Sequence, residues 1–328
     1  MRRMQSLSQR TQLAPALSGI SKRQGGLFTT AQARAAGYTK GEIEAAVRSG
    51  SWVRLQHGVL TTSARLARLS PRSTHVARLR AVLLRTTQPT FASHLSGAIL
   101  RGLPLLGGVP ELVSVTQHGP ARSRVQGGAR VYTGRVEPEE RDVVHGIGCL
   151  TLARTVADVA RSSRFDQAVV VADAALRNGL PAAELRAMAR SCAGWPGARQ
   201  LARVVAFARA DSESPGESMS RMAFASCGLP EPRLQVNIYD DDGFVGRVDF
   251  LWDQYMTIAE FDGRVKYASG DPAVLYEEKR REDRLRAAGY EVVRFSWADL
   301  VRRPEWVAAK LQAAFDRQAR RARLAAGR

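Results

Sequence analysis

The segment from Phe28 to Thr62 constrains the fold most, because it carries a dense succession of helix and turn signals. Thr29 or its neighbour can cap a short helix that Gly37 ends. Thr39 then caps a second helix, and Glu42 at the third helical position completes a capping box. The sequence therefore predicts two helices joined by a tight turn.

The second helix is amphipathic, and a β-ribbon is expected after it. Ile43 and Val47 lie four residues apart and can face a core, which leaves Lys40 and Arg48 at the rim or the outer face. Residues 52–60 then form two extended runs around a turn at His57 and Gly58. This order of helix, turn, helix and ribbon is that of a winged helix-turn-helix.

The run GYTKGEIEAAVRSGSWVRLQHGVL resembles the winged-helix N-terminal domain of AbiEi-type antitoxins from abortive-infection toxin–antitoxin systems. The resemblance implies that the helix from Lys40 to Arg48 enters the major groove of operator DNA and that Arg54 on the wing contacts phosphate. It also implies a cognate toxin as a candidate partner. A winged helix that serves only protein contacts is the alternative.

The charge and the cysteines support the same class of protein. A formal net charge of +18 favours a nucleic-acid partner, because Lys and Arg neutralise phosphates and release counterions. Cys149, Cys192 and Cys227 are far apart and lack histidines at metal-ligand spacing, so we expect buried thiols in a reducing compartment. No run approaches the ~20 apolar residues that cross a bilayer. The sequence therefore predicts a cytoplasmic protein that does not enter membranes.

Residues 66–210 are expected to form an α/β and helical linker domain that also resembles AbiEi-like proteins. Ser70 and Ser93 can cap helices, residues 111–117 alternate like a strand, and the Gly/Arg-rich run 119–130 is interpreted as an exposed loop. Three more helices follow, and the polar residues of this region are interpreted as caps or satisfied groups rather than catalytic ones. These residues are His94, Asp158 and Asp173.

The C-terminal third is expected to contain a helix from Glu217 and a three-stranded antiparallel meander over residues 234–261. A two-residue turn at Asp253 and Gln254 would place Asp249 opposite Ile258. Alternation then assigns one charged face and one apolar face. The charged face would hold Arg247, Asp249, Glu260 and Asp262, and the apolar face Val248, Phe250, Trp252, Tyr255, Ala259 and Phe261.

Two carboxylates at neighbouring strand positions repel each other unless a cation lies between them. We therefore predict that Asp249 and Glu260 ligate Mg²⁺ or Mn²⁺, which would activate water and stabilise the charge on a cleaved phosphodiester. A solvated charged face is the alternative.

The arrangement resembles the PD-(D/E)XK nuclease fold, in the branch similar to very-short-patch-repair endonucleases. The resemblance rests on a helix glutamate, on RVDF, on AEFDGRVKY and on the basic segment EKRREDRLRAAGYEVVRFSW. It implies catalytic roles for Glu217, Asp249, Glu260, Asp262 and Lys266, and DNA contacts by Lys279, Arg280 and Arg284. Asp262 stands where the parent pattern has a lysine, and this departure favours the non-catalytic alternative.

The sequence predicts an α/β multidomain protein with a winged helix, a linker domain and a nuclease-like domain with a central mixed sheet. The expected segments are a flexible basic 1–24, a winged helix 25–65, a linker domain 66–210, a nuclease-like domain 211–316 and a basic tail 317–328. The expected function is DNA binding with Mg²⁺-dependent DNA cleavage. A non-catalytic antitoxin-like repressor is the main alternative, and a protein-interaction scaffold is a third.

Overall fold

A computed structural model describes residues 13–120, 122–262 and 272–326. The chain divides into two compact units, and their boundaries differ from those expected. The first comprises Met1–Ser162 and Ala183–Ala198, and the second Ser163–Ala182 and Arg199–Arg328.

The helices are α1 Pro15–Arg23, α2 Thr30–Ala35, α3 Lys40–Arg48, α4 Ser63–Leu66, α5 Pro71–Leu83, α6 His94–Leu100, α7 Leu152–Ser162, α8 Phe165–Arg177, α9 Ala182–Ser191, α10 Ala198–Phe207, α11 Pro215–Ser226, α12 Pro272–Ala287, α13 Trp297–Arg302 and α14 Pro304–Ala326. The strands are β1 Phe28–Thr29, β2 Trp52–Gln56, β3 Val59–Thr62, β4 Thr90–Ala92, β5 Val113–His118, β6 Arg122–Gln126, β7 Ala129–Gly134, β8 Arg141–Val144, β9 Ile147–Leu150, β10 Arg233–Asp240, β11 Gly243–Trp252, β12 Thr257–Asp262 and β13 Glu291–Ser296.

The winged helix forms as predicted at the start of the first unit. Thr29 and Thr39 cap α2 and α3, and each makes a complete capping box. Strands β1, β3 and β2 form a small antiparallel sheet. The ring of Trp52 packs edge-on against Phe28 and Tyr38, with ring centroids 4.9 and 5.0 Å apart. These rings share one core cluster with Ile43 of α3, which anchors that helix.

The prediction of a flexible segment over residues 1–24 is wrong for α1. Leu17 on this helix is fully buried in the same core cluster as Phe28 and Trp52. Pro15 occupies the first turn, where the missing N–H costs nothing. The winged helix therefore begins before residue 25.

The rest of the first unit is built on a six-stranded sheet in the order β6-β7-β5-β4-β9-β8. The run 119–130, interpreted from the sequence as an exposed loop, instead contains β6 and the start of β7, which pair as an antiparallel hairpin. Gly127 and Gly128 form the turn at positive φ, and two such residues in sequence favour a tight hairpin. The expected loop is therefore corrected to a hairpin.

The second unit contains a four-stranded mixed sheet in the order β10-β11-β12-β13, with only the β12–β13 pair parallel. This confirms the mixed sheet, while membership of the nuclease fold stays a prediction. Phe250 and Trp252 face a core formed with α11, α13 and α14. Val248, expected on that face, packs instead with Leu251, Ile258 and Leu285 of α12. Both faces of the sheet are thus partly apolar, and the expected split into one charged and one apolar face is wrong.

The turn between β11 and β12 is longer than expected. Asp253–Tyr255 form a 3₁₀ turn and Met256 adopts φ +43°, so Leu251, not Asp249, lies opposite Ile258. The shift is two residues. The shift changes the residue opposite Asp249, whose carboxylate instead contacts Gln235 and the backbone N–H of Phe261.

The positions of helices α8, α10 and α14 correct two further expected domain boundaries. The expected linker domain is divided, because α8 and most of α10 belong to the second unit. The expected tail from residue 317 continues α14, and Gln318 on it donates to the carbonyl of Gly289 at 2.8 Å.

Cys149 and Cys192 are buried as predicted, whereas Cys227 is exposed. No helix in the described ranges is both long and apolar enough to cross a bilayer.

Candidate functional site

The outer face of α3 presents two cations that share one carboxylate. Lys40 Nζ and Arg48 Nη1 each lie 3.9 Å from an oxygen of Glu44, and the two basic side chains are 84% and 72% exposed. Exposed ion pairs of this kind contribute only ~0–1 kcal/mol. Lys40 and Arg48 can therefore exchange Glu44 for a phosphate at little cost.

The wing follows this helix directly in the chain. Arg54 on β2 is exposed and pairs with Leu60 of β3, while Trp52 at the start of the strand is buried. The capped helix and the ribbon together fix Lys40, Arg48 and Arg54 on one folded module, as the sequence predicts.

In the second unit, Glu217 and Asp249 converge on the side-chain amide of Gln235. Gln235 Nε2 donates to Glu217 Oε2 at 2.9 Å and lies 3.4 Å from Asp249 Oδ1. Glu217 also accepts hydrogen bonds from the backbone N–H of Glu213 and the hydroxyl of Ser214. Burial raises the pKa of the Glu217 carboxyl, and the nearby Asp249 charge acts in the same direction. Sequence reasoning misses Gln235, whose positive φ of 51° marks the irregularity that brings it here.

Asp249 lies where β11 and β12 stop pairing. The regular ladder includes the Phe250–Ala259 pair, and beyond it Asp249 Oδ2 accepts the backbone N–H of Phe261 at 2.8 Å. A side chain thus satisfies an N–H that the neighbouring strand leaves without a backbone acceptor. This hydrogen bond fixes Asp249 at the fork between the two strands.

Glu260 is held between two guanidinium groups. Arg281 Nη2 lies 2.7 Å from Oε1, and Arg294 Nη2 lies 3.0 Å from Oε2. Both arginines also bind Glu278 Oε1, at 2.9 and 2.5 Å. Burial raises the pKa of the Glu260 carboxyl, while Arg281 and Arg294 act in the opposite direction. The parallel register that pairs Glu260 with Arg294 brings these groups together.

The remaining predicted residues are spread over different surroundings. Asp262 ends β12 opposite Ser296 and is half-buried, and Lys266 lies outside the described residues. Lys279 and Arg280 on α12 are exposed. Arg284 instead pairs with Asp240, with Nε 2.8 Å from Oδ2, and so does not extend an open basic face.

The carboxylates do not fit a divalent metal as they are arranged. Mg²⁺ needs carboxylate oxygens that are free to coordinate it. Both oxygens of Glu260 already contact arginines, and Asp249 accepts a backbone N–H. Within the described ranges, no three His, Cys, Asp or Glu residues are grouped so that they could hold a metal ion. These contacts count against the expected Mg²⁺ site, and a metal titration is the test of that expectation.

The three polar residues of the middle region are satisfied structural groups, as interpreted from the sequence. Asp173 pairs with Arg221 at 2.9 Å, and Asp158 pairs with Arg161 at 2.6 Å; both carboxylates are almost fully buried. His94 is buried and stacks on Tyr132, and burial lowers its pKa to about 4. A neutral histidine and two paired carboxylates indicate packing rather than chemistry.

Comparison with known proteins supports the winged-helix assignment. Residues 20–61 match the family AbiEi_4, described as a transcriptional regulator and AbiEi antitoxin. The match begins within α1 and covers α2, α3 and the wing strand β2, which confirms the N-terminal resemblance. It does not extend to the second unit.

Two curated relatives from Mycobacterium tuberculosis, the uncharacterized proteins MT2308 and Rv2248, are each 32% identical to this chain over 166 residues. The alignments cover 50% of this chain and 60% of each relative. The crystal structure of the Rv2827c protein from the same organism aligns with a TM-score of 0.41 and 14% identity, over 73% of this chain and 90% of that one.

Proposed function

We propose that this chain is a DNA-binding transcriptional regulator of the antitoxin type. The observation that carries the proposal is the capped helix α3, which presents exposed Lys40 and Arg48 beside a wing with exposed Arg54. A helix of this kind fits the major groove, and phosphate contacts from the wing would set its register. The family match over residues 20–61 and the net charge of +18 support the same conclusion.

In this proposal the chain represses its own promoter. Its partner is a cognate toxin whose gene is controlled by the same promoter. In this proposal the second unit does not cleave DNA, because its carboxylates are already bound by the chain's own arginines and amides.

A divalent-metal endonuclease is the second candidate. The convergence of Glu217 and Asp249 through Gln235, at a fork between two strands, favours it. The pairing of Glu260 with Arg281 and Arg294 counts against it. We therefore rank it below the regulator.

The test is a titration of the full chain with a labelled duplex of its own promoter at several salt concentrations. We expect affinity to fall steeply with salt. Arg48→Ala or Arg54→Ala should reduce the slope of log K against log salt by about 0.9 for each phosphate that the variant no longer neutralises. Arg190→Ala, which removes an exposed arginine from α9 of the same unit, is the matched control and should change little.

A wild-type chain that binds neither its promoter nor any other duplex in a salt-sensitive way contradicts the proposal. So does a result in which Arg48→Ala, Arg54→Ala and Arg190→Ala weaken binding equally, because the winged helix would then contribute nothing specific.

A further inference from the structure

The first unit contains a cleft of about 400 Å³ between the tip of the wing and the β6–β7 hairpin. Its walls include Gln56 and His57 of the wing tip, Arg85 after α5, and Arg124 of β6. Buried Val115 and Val131 form part of its floor. We call it the wing–hairpin cleft.

A hydrogen bond joins the two sides of the cleft. Gln56 Nε2 donates to the carbonyl of Gly127 at 2.5 Å, and Gln56 Oε1 accepts the backbone N–H of His57 at 3.0 Å. Gly127 has a φ of +55°, which favours glycine, and a Cβ there would lie 2.7 Å from Gln56 Nε2, so a larger residue would displace the Gln56 amide. The hairpin is therefore held against the wing by a specific contact.

The cleft has an uncompensated positive charge. Arg85 and Arg124 are both exposed, and none of the described residues that line the cleft is acidic. Arg124 donates to the amide oxygens of Gln117 and Gln126, at 2.9 and 3.2 Å, which orient it without neutralising it. Two arginines beside neutral amides form a site for an anion, and for phosphate in particular.

We propose that the wing–hairpin cleft binds the phosphate backbone of duplex DNA, so that the β6–β7 hairpin acts as a second DNA-contacting ribbon. The inference rests on the proposed function and extends its interface beyond the winged helix. Arg54 lies two residues before Gln56 on β2, so the exposed wing arginine and the cleft belong to neighbouring parts of the same ribbon. Arg85 and Arg124 would each contact a phosphate and carry no sequence information.

The experiment measures promoter binding by the full chain as wild type, Arg85→Ala, Arg124→Ala and the double variant. Both side chains are exposed, so we expect all variants to fold, and melting curves will check this. The double variant should bind several-fold more weakly and lower the salt slope by about 1.8, twice the value for one phosphate. Arg124→Lys should recover part of the affinity, and Arg190→Ala should behave as wild type.

The outcomes separate this inference from the proposed function. If Arg48→Ala weakens binding while the double variant matches wild type in affinity and salt slope, the cleft lies outside the DNA interface and the inference is overturned. If wild type binds no duplex, both proposals fail. If millimolar inorganic phosphate raises the melting temperature of wild type but not of the double variant, and DNA binding is the same in both, the cleft is a site for a small anion instead.

Discussion

Glu278 is the residue on which the ionic cluster of the second unit depends. It binds Arg281 and Arg294, which also bind Glu260, so both arginines are shared between Glu278 and Glu260. The hydrogen bond from Arg281, with the nearby arginine charges, lowers the pKa of Glu278 to about 2. The cluster therefore keeps its full set of ion pairs only while Glu278 is ionised.

This pKa has a consequence for acid stability. A carboxyl whose pKa is lower in the folded than in the unfolded state contributes stability above its ordinary pKa of 4.5, and the contribution disappears as the pH falls toward about 2. We expect the free energy of unfolding of wild type to fall over this range. Glu278→Gln should be less stable at neutral pH and should show a smaller acid-dependent decrease. Urea titrations at a series of pH values measure both.

Glu305→Gln is the control for this prediction, because Glu305 is exposed at the start of α14. Its pH profile should match that of wild type. A Glu278→Gln profile parallel to that of wild type between pH 4.5 and 2 would show that the cluster does not stabilise the folded state.

Residue contacts of this kind are only partly predictable from sequence. The alternation of β12 assigns Glu260 and Asp262 to one face, and packing of Arg294 against the carboxylates is expected of a strand neighbour. The sequence of α12 mixes basic and acidic residues and gives Arg281 no specific partner, so contact with DNA or solvent is all that it predicts for this arginine. The contact of Arg281 with Glu260 depends on how α12 crosses the sheet, which local patterns do not encode.

At the scale of elements, capping signals locate helices well because each is a local chemical contact. Thr29, Thr39 and Ser70 accept the predicted backbone N–H groups. The β6–β7 hairpin is hard to predict because its strands carry arginines and alternate weakly, which leaves the glycine pair at its turn as the main signal. Helix α1 is hard to predict because its basic, polar surface masks a single deeply buried leucine.

That leucine gives the element-scale prediction. Leu17 on α1 is fully buried in the winged-helix core, so Leu17→Ala should cost about 2–5 kcal/mol of stability through reduced burial and a residual cavity. Chemical denaturation followed by tryptophan fluorescence, to which Trp52 of this core contributes, measures the change. Leu324→Ala, at a side chain that is 74% exposed, should change stability by less than about 0.5 kcal/mol. Equal stabilities of the two variants would mean that α1 is not part of the winged-helix fold.

At the scale of the whole molecule, the α/β class and most helices follow from sequence patterns, whereas the division into units does not. Helix α8 joins the second unit through the buried pair of Asp173 with Arg221 on α11, two residues 48 positions apart. No local signal links them. A charged residue in an otherwise apolar helix is the general sign of such a pair, since buried charges are rarely left without partners.

The last prediction separates regulator from nuclease. Arg281 and Arg294 already neutralise Glu260, so we expect no binding of Mg²⁺ or Mn²⁺ there. A cation that does not bind the folded state cannot stabilise it, and millimolar metal should therefore leave the melting temperature of the full chain unchanged. Supercoiled, linear and single-stranded DNA should remain uncut, and Asp249→Asn should bind the promoter as wild type does. The opposite outcome is a metal-dependent rise in melting temperature together with DNA cleavage, both lost in Asp249→Asn. If the control Asp253→Asn, at an exposed turn, keeps both, the second unit is a metal-dependent nuclease. Such a result would also require Glu260 to exchange its arginines for the ion, so Arg281→Met should then strengthen metal binding.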